Sequence, residues 1–475
     1  MSCSSRPFIC FFLLSLSMVR TTSGHSWHNV FTEYGGEPDS TLLVLDLDQR
    51  SVVARSAVIS AEALQEMKTI YAQGGSNTPS STATLQSLST NPYSNHATFQ
   101  AFQTFYGGAA GYADSWIQAA FDGTQIFEIG NGQSRQADFT RLDFEGRSNA
   151  VRWGTLVLNV WMAVVGSLEK ALAGCSPNGN NNNAQQDWND ALALFTGSLV
   201  DSDLPIGGYM LFHFIQIQCT TFGTCGTDEE APVNTEIIAT FVLGKNNIQS
   251  GQCNLLSTNV ERIKTLLKVP LIQATLRAMY SLDREDDKRS EIQGEAAAFA
   301  AAVAPVVSEC SLGSAEAIYN DMIPGNSPDG SFEVVKGNVE RHYTCMGVTC
   351  ADIGGIVATS GEQPYLLRAE ACGGVLPVST SSSSGGGGQQ GAPATTSEDN
   401  SGGRNRTGLA VGLSFLFLGL IIAGVIGWRV YKKKNVKEFD TASTPELKVE
   451  ESAGTPADAV DEEQNPAEKT LPEIQ

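Results

Sequence analysis

The sequence predicts a mainly α fold: a helical-bundle ectodomain with few short strands and disulfide-tied loops, joined to one transmembrane helix. Three observations predict it. Through the middle of the chain apolar residues recur at spacings of three and four, eight cysteines fall between Cys175 and Cys372, and Gly408–Trp428 is a 21-residue run without a charge.

The elements follow in chain order. Pro7–Val19 is a 13-residue apolar run behind Arg6, followed by Thr22-Ser23-Gly24, so residues 1–24 are expected to be a signal peptide. Residues 25–372 form the ectodomain. Within it, LLVLDLD (Leu42–Asp48) and EIIATFVL (Glu236–Leu243) are apolar, β-branched runs that read as short strands. Val157, Val160, Trp161, Val164, Val165 and Leu168 mark a first long helix that stops before Gly174 and Pro177. After an Asn-rich loop (Asn180–Asn183), Trp188, Ala191, Leu192, Phe195 and Leu199 mark a second. A third runs through Val260, Ile263, Leu266 and Leu267, is expected to kink or break at Pro270, and continues through Ile272, Leu276 and Met279. The fourth, Arg289–Val307, is rich in alanine. A short echo, Trp188 to Phe195 against Glu295 to Phe299 and Ile70-Tyr71 against Ile318-Tyr319, raises an arrangement in two pseudo-repeated halves. Residues 373–407 are a Gly/Ser/Thr stalk, and 408–428, about 31 Å at helical rise, span a bilayer. Arg429, Lys432, Lys433, Lys434 and Lys437 follow directly and place the acidic, disordered tail 429–475 in the cytoplasm. The expected location is the plasma membrane, single-pass type I, with endocytic vesicles and cytoplasmic sorting partners suggested by the tail.

Eight cysteines on the exported side, Cys175, Cys219, Cys225, Cys253, Cys310, Cys345, Cys350 and Cys372, predict disulfides whose pairing the sequence leaves open. The chain carries 30 Lys+Arg against 51 Asp+Glu, a formal charge of −21, which disfavours nucleic acid and favours a cation. Its five histidines (His25, His28, His96, His213, His342) make no HExxH spacing, GxSxG and P-loop motifs are absent, and no GxGxxG opens a helix after a strand, so no enzyme is expected. What remains is oxygen chemistry on helical faces. Asp187 and Asp190 flank Trp188, Asp287, Glu291 and Glu295 recur every four residues, and Gln273, Arg277 and Tyr280 share a face. Carboxylate and phenol oxygens suit a hard cation such as ferric iron, and an arginine fork clamps a planar anion. The plainer reading keeps Asp187 as a helix cap, Asp287 and Glu291 as solvated charges and Tyr280 as a core-edge tyrosine.

Several segments together are similar to the phytotransferrins, the algal iron-assimilating, low-iron-inducible surface proteins. They are Met67–Gly75 with Leu85–Ser89, Tyr112–Trp116 followed by Ala119-Ala120-Phe121, Asp187–Ala191 with Thr196–Leu199, Val269–Gln273 with Leu276–Tyr280, and Gly294–Phe299, in order over residues 66–325. The resemblance implies capture of Fe3+ together with carbonate, followed by internalisation. It carries over Trp188 and Asp190 as part of a Trp-acid-acid signature, Arg277 and Tyr280 as an Arg-Tyr pair, and Glu295 as a helical acid. Asn189 stands where the first acid of that signature is expected, and Phe195 where a tyrosine is usual. The expected site has Tyr280, a second phenolate from Tyr106 or Tyr112, and carboxylates from Asp187, Asp190 or Glu295 on iron, with Arg277 and a helix N-terminus on carbonate. The alternative is an adhesion or scaffold protein that binds a partner and no metal.

Overall fold

Helical periodicity governs nearly the whole of the ectodomain. The computed structural model describes residues 30–38, 40–75, 83–89, 93, 95–130, 133–177, 181–199, 208–284, 289–325, 331–358 and 364–372. The expected signal peptide, stalk, transmembrane helix and tail lie outside the described residues, as does Asp287. The chain divides into units Met1–Ser382 and Ser383–Gln475, and all described residues belong to the first. Its elements are α1 Val30–Tyr34, α2 Leu45–Ser56 entered through a 3-10 turn at Thr41–Val44, α3 Ala61–Gln73, α4 Ala97–Phe105 and α5 Tyr112–Asp122. A hairpin of β1 Gln125–Gly130 and β2 Gln133–Asp138 follows, then α6 Phe144–Gly154, α7 Trp161–Gly174, α8 Asn182–Thr196, α9 Leu211–Phe222 and α10 Pro232–Gln249. The last are α11 Cys253–Arg284, α12 Arg289–Ser308, α13 Leu312–Met322, α14 Phe332–Glu340 and the short α15 Tyr343–Met346 and α16 Cys350–Ile353.

Both expected strands are helices. At Leu42–Asp48, Ser40 Oγ accepts from Leu42 N at 3.1 Å and caps the entry turn, and Asp46 and Asp48 fall in the first turn of α2, where the helix dipole favours carboxylates. At Glu236–Leu243, Pro232 starts α10 and Ile237, Ile238 and Phe241 are buried while Leu243 is 56% exposed, a spacing of three and four rather than two. The observed strands pair antiparallel from Gln125 opposite Asp138 to Gly130 opposite Gln133.

The longest apolar element is Phe144–Gly174, where α6 and α7 are joined by a π-helical stretch, Thr155–Val160. It has the length and hydropathy to cross a membrane, yet 78% of its apolar window is buried by neighbouring helices, so it is the axis of the bundle. The wide turn points Asn159 inward, where its Nδ2 donates to Tyr71 Oη at 3.1 Å and to Leu85 O at 2.9 Å. Tyr71 donates onward to Asp114 at 2.9 Å, which keeps the buried phenol partnered.

Helix α12 packs directly on α6. A Cβ at Gly294 would collide with the Gly146 carbonyl, and one at Gly146 would lie 2.5 Å from the Ser290 carbonyl oxygen, so the two backbones touch where both residues are glycine. Ala150, Ala298 and Trp153 over Phe299 (ring centroids 5.3 Å apart) continue the seam, which fixes the helices parallel, residue 146 level with 290 and 153 level with 299.

The expected break at Pro270 does not occur: α11 runs unbroken over 32 residues with the proline inside. Proline removes an N–H and loosens the carbonyls one turn before it. The Trp161 indole Nε1 from the neighbouring helix donates to Leu267 O at 3.1 Å, one residue past the Leu266 carbonyl that Pro270 leaves without its helical donor. Pro305 in α12 poses the same problem, because it cannot donate to Ala301 O four residues back; the Tyr106 hydroxyl does so instead, at 2.6 Å.

The cysteines pair as Cys175–Cys253, Cys219–Cys225, Cys310–Cys345 and Cys350–Cys372, with Cα separations of 4.9 to 6.0 Å.

Two predictions follow from the packing. Gly294→Ala is expected to destabilise the fold by about 1–3 kcal/mol or more, because the new methyl meets backbone on both sides; urea unfolding measures it. Replacing the Cys175–Cys253 pair by serines should cost more than replacing Cys219–Cys225. The loops close over 78 and 6 residues, which the chain-entropy relation converts to about 4.5 against about 2.2 kcal/mol. Equal midpoints for the two double variants would contradict the ranking.

Candidate functional site

The structure separates the expected ligands into distinct neighbourhoods. On α8, Asp187 is interior and does not cap its helix; its Oδ1 pairs with Lys170 Nζ at 2.7 Å and it is almost fully buried. Asp190 Oδ1 accepts from Ser40 Oγ at 2.7 Å and from Gln186 Nε2 at 3.0 Å. Asn189 Oδ1 accepts from the Tyr34 hydroxyl at 2.7 Å, and Lys245 clamps Tyr34 from the other side, donating to its carbonyl at 3.0 Å with the ammonium 4.2 Å from the ring. These contacts dock the segment containing α1 onto α8. Trp188 inserts against α10, where Gly244 leaves room for its ring, and its Nε1 donates to Phe241 O at 3.0 Å. Phe195 sits among Phe212 and Phe241 with centroids 6.0 Å away in each case, an apolar site in which a phenol would need a partner.

Tyr106 and Tyr112 come together, but inside the core. Their rings stack at 4.8 Å, Phe99, Phe102, Phe105 and Tyr319 surround the pair, and Tyr106 is committed to the Ala301 carbonyl. Tyr280 is half-buried, edge-on to Phe332 at 5.0 Å with the Arg284 guanidinium 4.6 Å from its ring centroid. Gln273, on the same helix, donates to Ile353 O at 2.9 Å and holds α16 in place.

One expected pair does meet. Arg277 Nη2 of α11 donates to Glu295 Oε1 of α12 in an ion pair whose side chains are 31% and 14% exposed, so the pair is partly desolvated and still open to solvent. Arg277 Nε is buried with no partner among the described residues. Arg152, at the end of α6, lies in the same neighbourhood, because the glycine seam sets that end level with the first half of α12. Its Nε is likewise buried without a partner, its guanidinium carbon lies 4.6 Å from the Trp153 ring centroid, and Gln49 Nε2 donates to its carbonyl at 3.2 Å. Burial pushes the Arg152 guanidinium below its ordinary value; Glu295 pulls it back up, Arg277 pushes it down, and Glu291 and Tyr209 pull it up. Tyr209 is fixed by its own backbone N–H, which donates to the buried Asp46 Oδ1 at 2.5 Å. The result is two guanidiniums and two carboxylates at the meeting of α6, α11 and α12, with a tyrosine in electrostatic reach.

The chemistry of such a cluster suits planar oxyanions, since a guanidinium fork matches a carboxylate or carbonate edge and partial burial strengthens the attraction. Glu291, Glu295 and the nearby phenols supply oxygen donors for a hard cation. Among the described residues no group of three or more His, Cys, Asp and Glu is arranged to hold a metal, so carboxylates alone do not form such a site. The sequence reading missed Arg152 and Tyr209. Nothing local marks either: Arg152 shares α6 with Glu145 and Arg147 and has no tyrosine one turn away.

Compared with protein-family models, with curated proteins and with solved structures, the chain matches none of them.

Tyr106→Phe is expected to lower stability by about 1–3 kcal/mol, because the Ala301 carbonyl then loses the donor that replaces the missing Pro305 N–H. Denaturant unfolding reads the loss. Ferric iron binding by the folded variant should be unchanged.

Proposed function

We propose that the ectodomain captures ferric iron together with a carbonate-type oxyanion at the cell surface and releases both on acidification after internalisation. The observation that supports this reading is the Arg277–Glu295 pair beside Arg152, with unpartnered guanidinium Nε groups on both arginines. The anion sits against the two arginines. The cation takes oxygen from Glu295, from Glu291 one turn before it and from the phenols of Tyr280 and Tyr209, of which Tyr280 lies one helical turn beyond Arg277. The acidic balance of the chain favours accumulation of cations at this surface. Asp187, Asp190, Tyr106 and Tyr112 serve the fold in this scheme. The four disulfides suit an exported domain.

Acid release follows from the donors. A carboxyl with a reference pKa of about 4.3 and a phenol of about 10 must both be deprotonated on the metal, so protons compete and affinity falls as pH falls. The test is a ferric iron titration of the full chain in detergent, with and without bicarbonate, at neutral and mildly acidic pH, following visible tyrosinate-to-iron absorbance and bound metal. A bicarbonate-dependent, acid-reversible band with about one iron per chain is expected, reduced in Tyr280→Phe. Absence of binding under all conditions would eliminate the reading in favour of an adhesion or scaffold role.

A further inference from the structure

The guanidinium that is best placed to take an anion already holds one: the carboxylate of Glu295. We propose that Glu295 is an internal stand-in for the oxyanion, and that it leaves Arg277 only when a cation draws it away. The inference rests on the function proposed above and adds to it the means by which the two ligands are coupled.

The argument is one of competition for a fixed set of donors. Arg277 comes from α11 and Glu295 from α12, which packs against both α11 and α6, so their approach is imposed by the scaffold. In the absence of ligand the carboxylate neutralises a partly buried guanidinium that would otherwise stand without a counter-charge. An external anion must therefore displace it, and a displaced Glu295 would be left beside the incoming anion, charge against like charge. A hard cation removes that conflict. It takes the Glu295 oxygens as ligands, which frees Arg277 Nη2 for the anion, with the positive charge of Arg152 in the same neighbourhood. Each ligand lowers the cost of binding the other, and the coupling is reciprocal by thermodynamic necessity. Arg152 has a distinct part: its buried Nε carries no hydrogen bond, so it offers a donor that Glu295 does not already occupy. No bond is made or broken in the exchange, and the protein's charge changes only by what it binds.

The experiment uses the full chain in detergent and equilibrium dialysis with radiolabelled bicarbonate, first without metal. Wild type should bind weakly. Glu295→Gln, which keeps the size of the side chain and removes its charge, should bind bicarbonate at least tenfold more tightly, and Glu295→Asp, which withdraws the carboxylate by one methylene, should fall between. Arg277→Gln in the Glu295→Gln background should abolish the gain, and Arg152→Gln should lower it severalfold. With ferric iron added, bicarbonate binding should strengthen in wild type and hardly change in Glu295→Gln. Thermal melts of each variant establish that it is folded. A Glu295→Gln protein that binds bicarbonate no better than wild type, or a gain that survives loss of Arg277, would overturn the proposal. The metal-free arm reads the exchange even when wild type takes up no iron. Failure of the iron titration alone therefore removes the proposed cargo, and failure of the metal-free arm removes the stand-in.

Discussion

The backbone contact between α6 and α12 at Gly146 and Gly294 is the constraint on which the rest of the ectodomain depends. It brings two helices together with no side chain between them, a separation that no other residue pair permits. From this one registration follow the packing of Trp153 against Phe299, the position of Arg152 near the middle of α12 and the level at which Glu295 meets Arg277. A site assembled from three helices needs such a datum, because an error of one residue in the packing would rotate Glu295 about 100° around its axis.

The buried prolines show how the same bundle tolerates faults. Pro305 opens the Ala301 carbonyl in a helix that is otherwise well buried, and the Tyr106 hydroxyl closes it, while beside Pro270 the Trp161 indole adds a donor to Leu267 O. Two aromatic residues therefore act through a single polar atom while the remainder of each ring contributes apolar area. For Tyr106 this commitment to the core is also why its phenol is unavailable as a ligand.

Much of this was legible in the sequence, and the failures share a cause. The four long helices were marked by spacings that burial enforces, and the cysteine count anticipated four pairs. Leu42–Asp48 and Glu236–Leu243 read as strands because local β-branched composition outweighed a cap at Ser40 and a proline at position 232, both visible but given too little weight. The hairpin went unread although Asn131-Gly132 stands between its strands. The candidate site was half legible: Arg277 and Glu295 were named from separate helices and meet, whereas Arg152 depends on a register set by backbone contact, which no residue pattern expresses. Asp187, Asp190, Tyr106 and Tyr112 are the right chemical types spent on holding helices together, and only three-dimensional partners separate those uses.

The last disulfide has a mechanical side. Cys350–Cys372 closes immediately before residue 373, and Arg368 is held to Glu333 at 3.3 Å while Gln273 of α11 holds α16 through Ile353 O. Tension applied to the chain beyond residue 372 therefore passes through a covalent bond to the start of α16, bypassing the 21 residues between the two cysteines. That segment cannot be peeled away strand by strand, and the load arrives at the side of α11, where it must shear a long helix out of its packing. A domain closed in this way passes a pull on its C-terminal end to its core without lengthening.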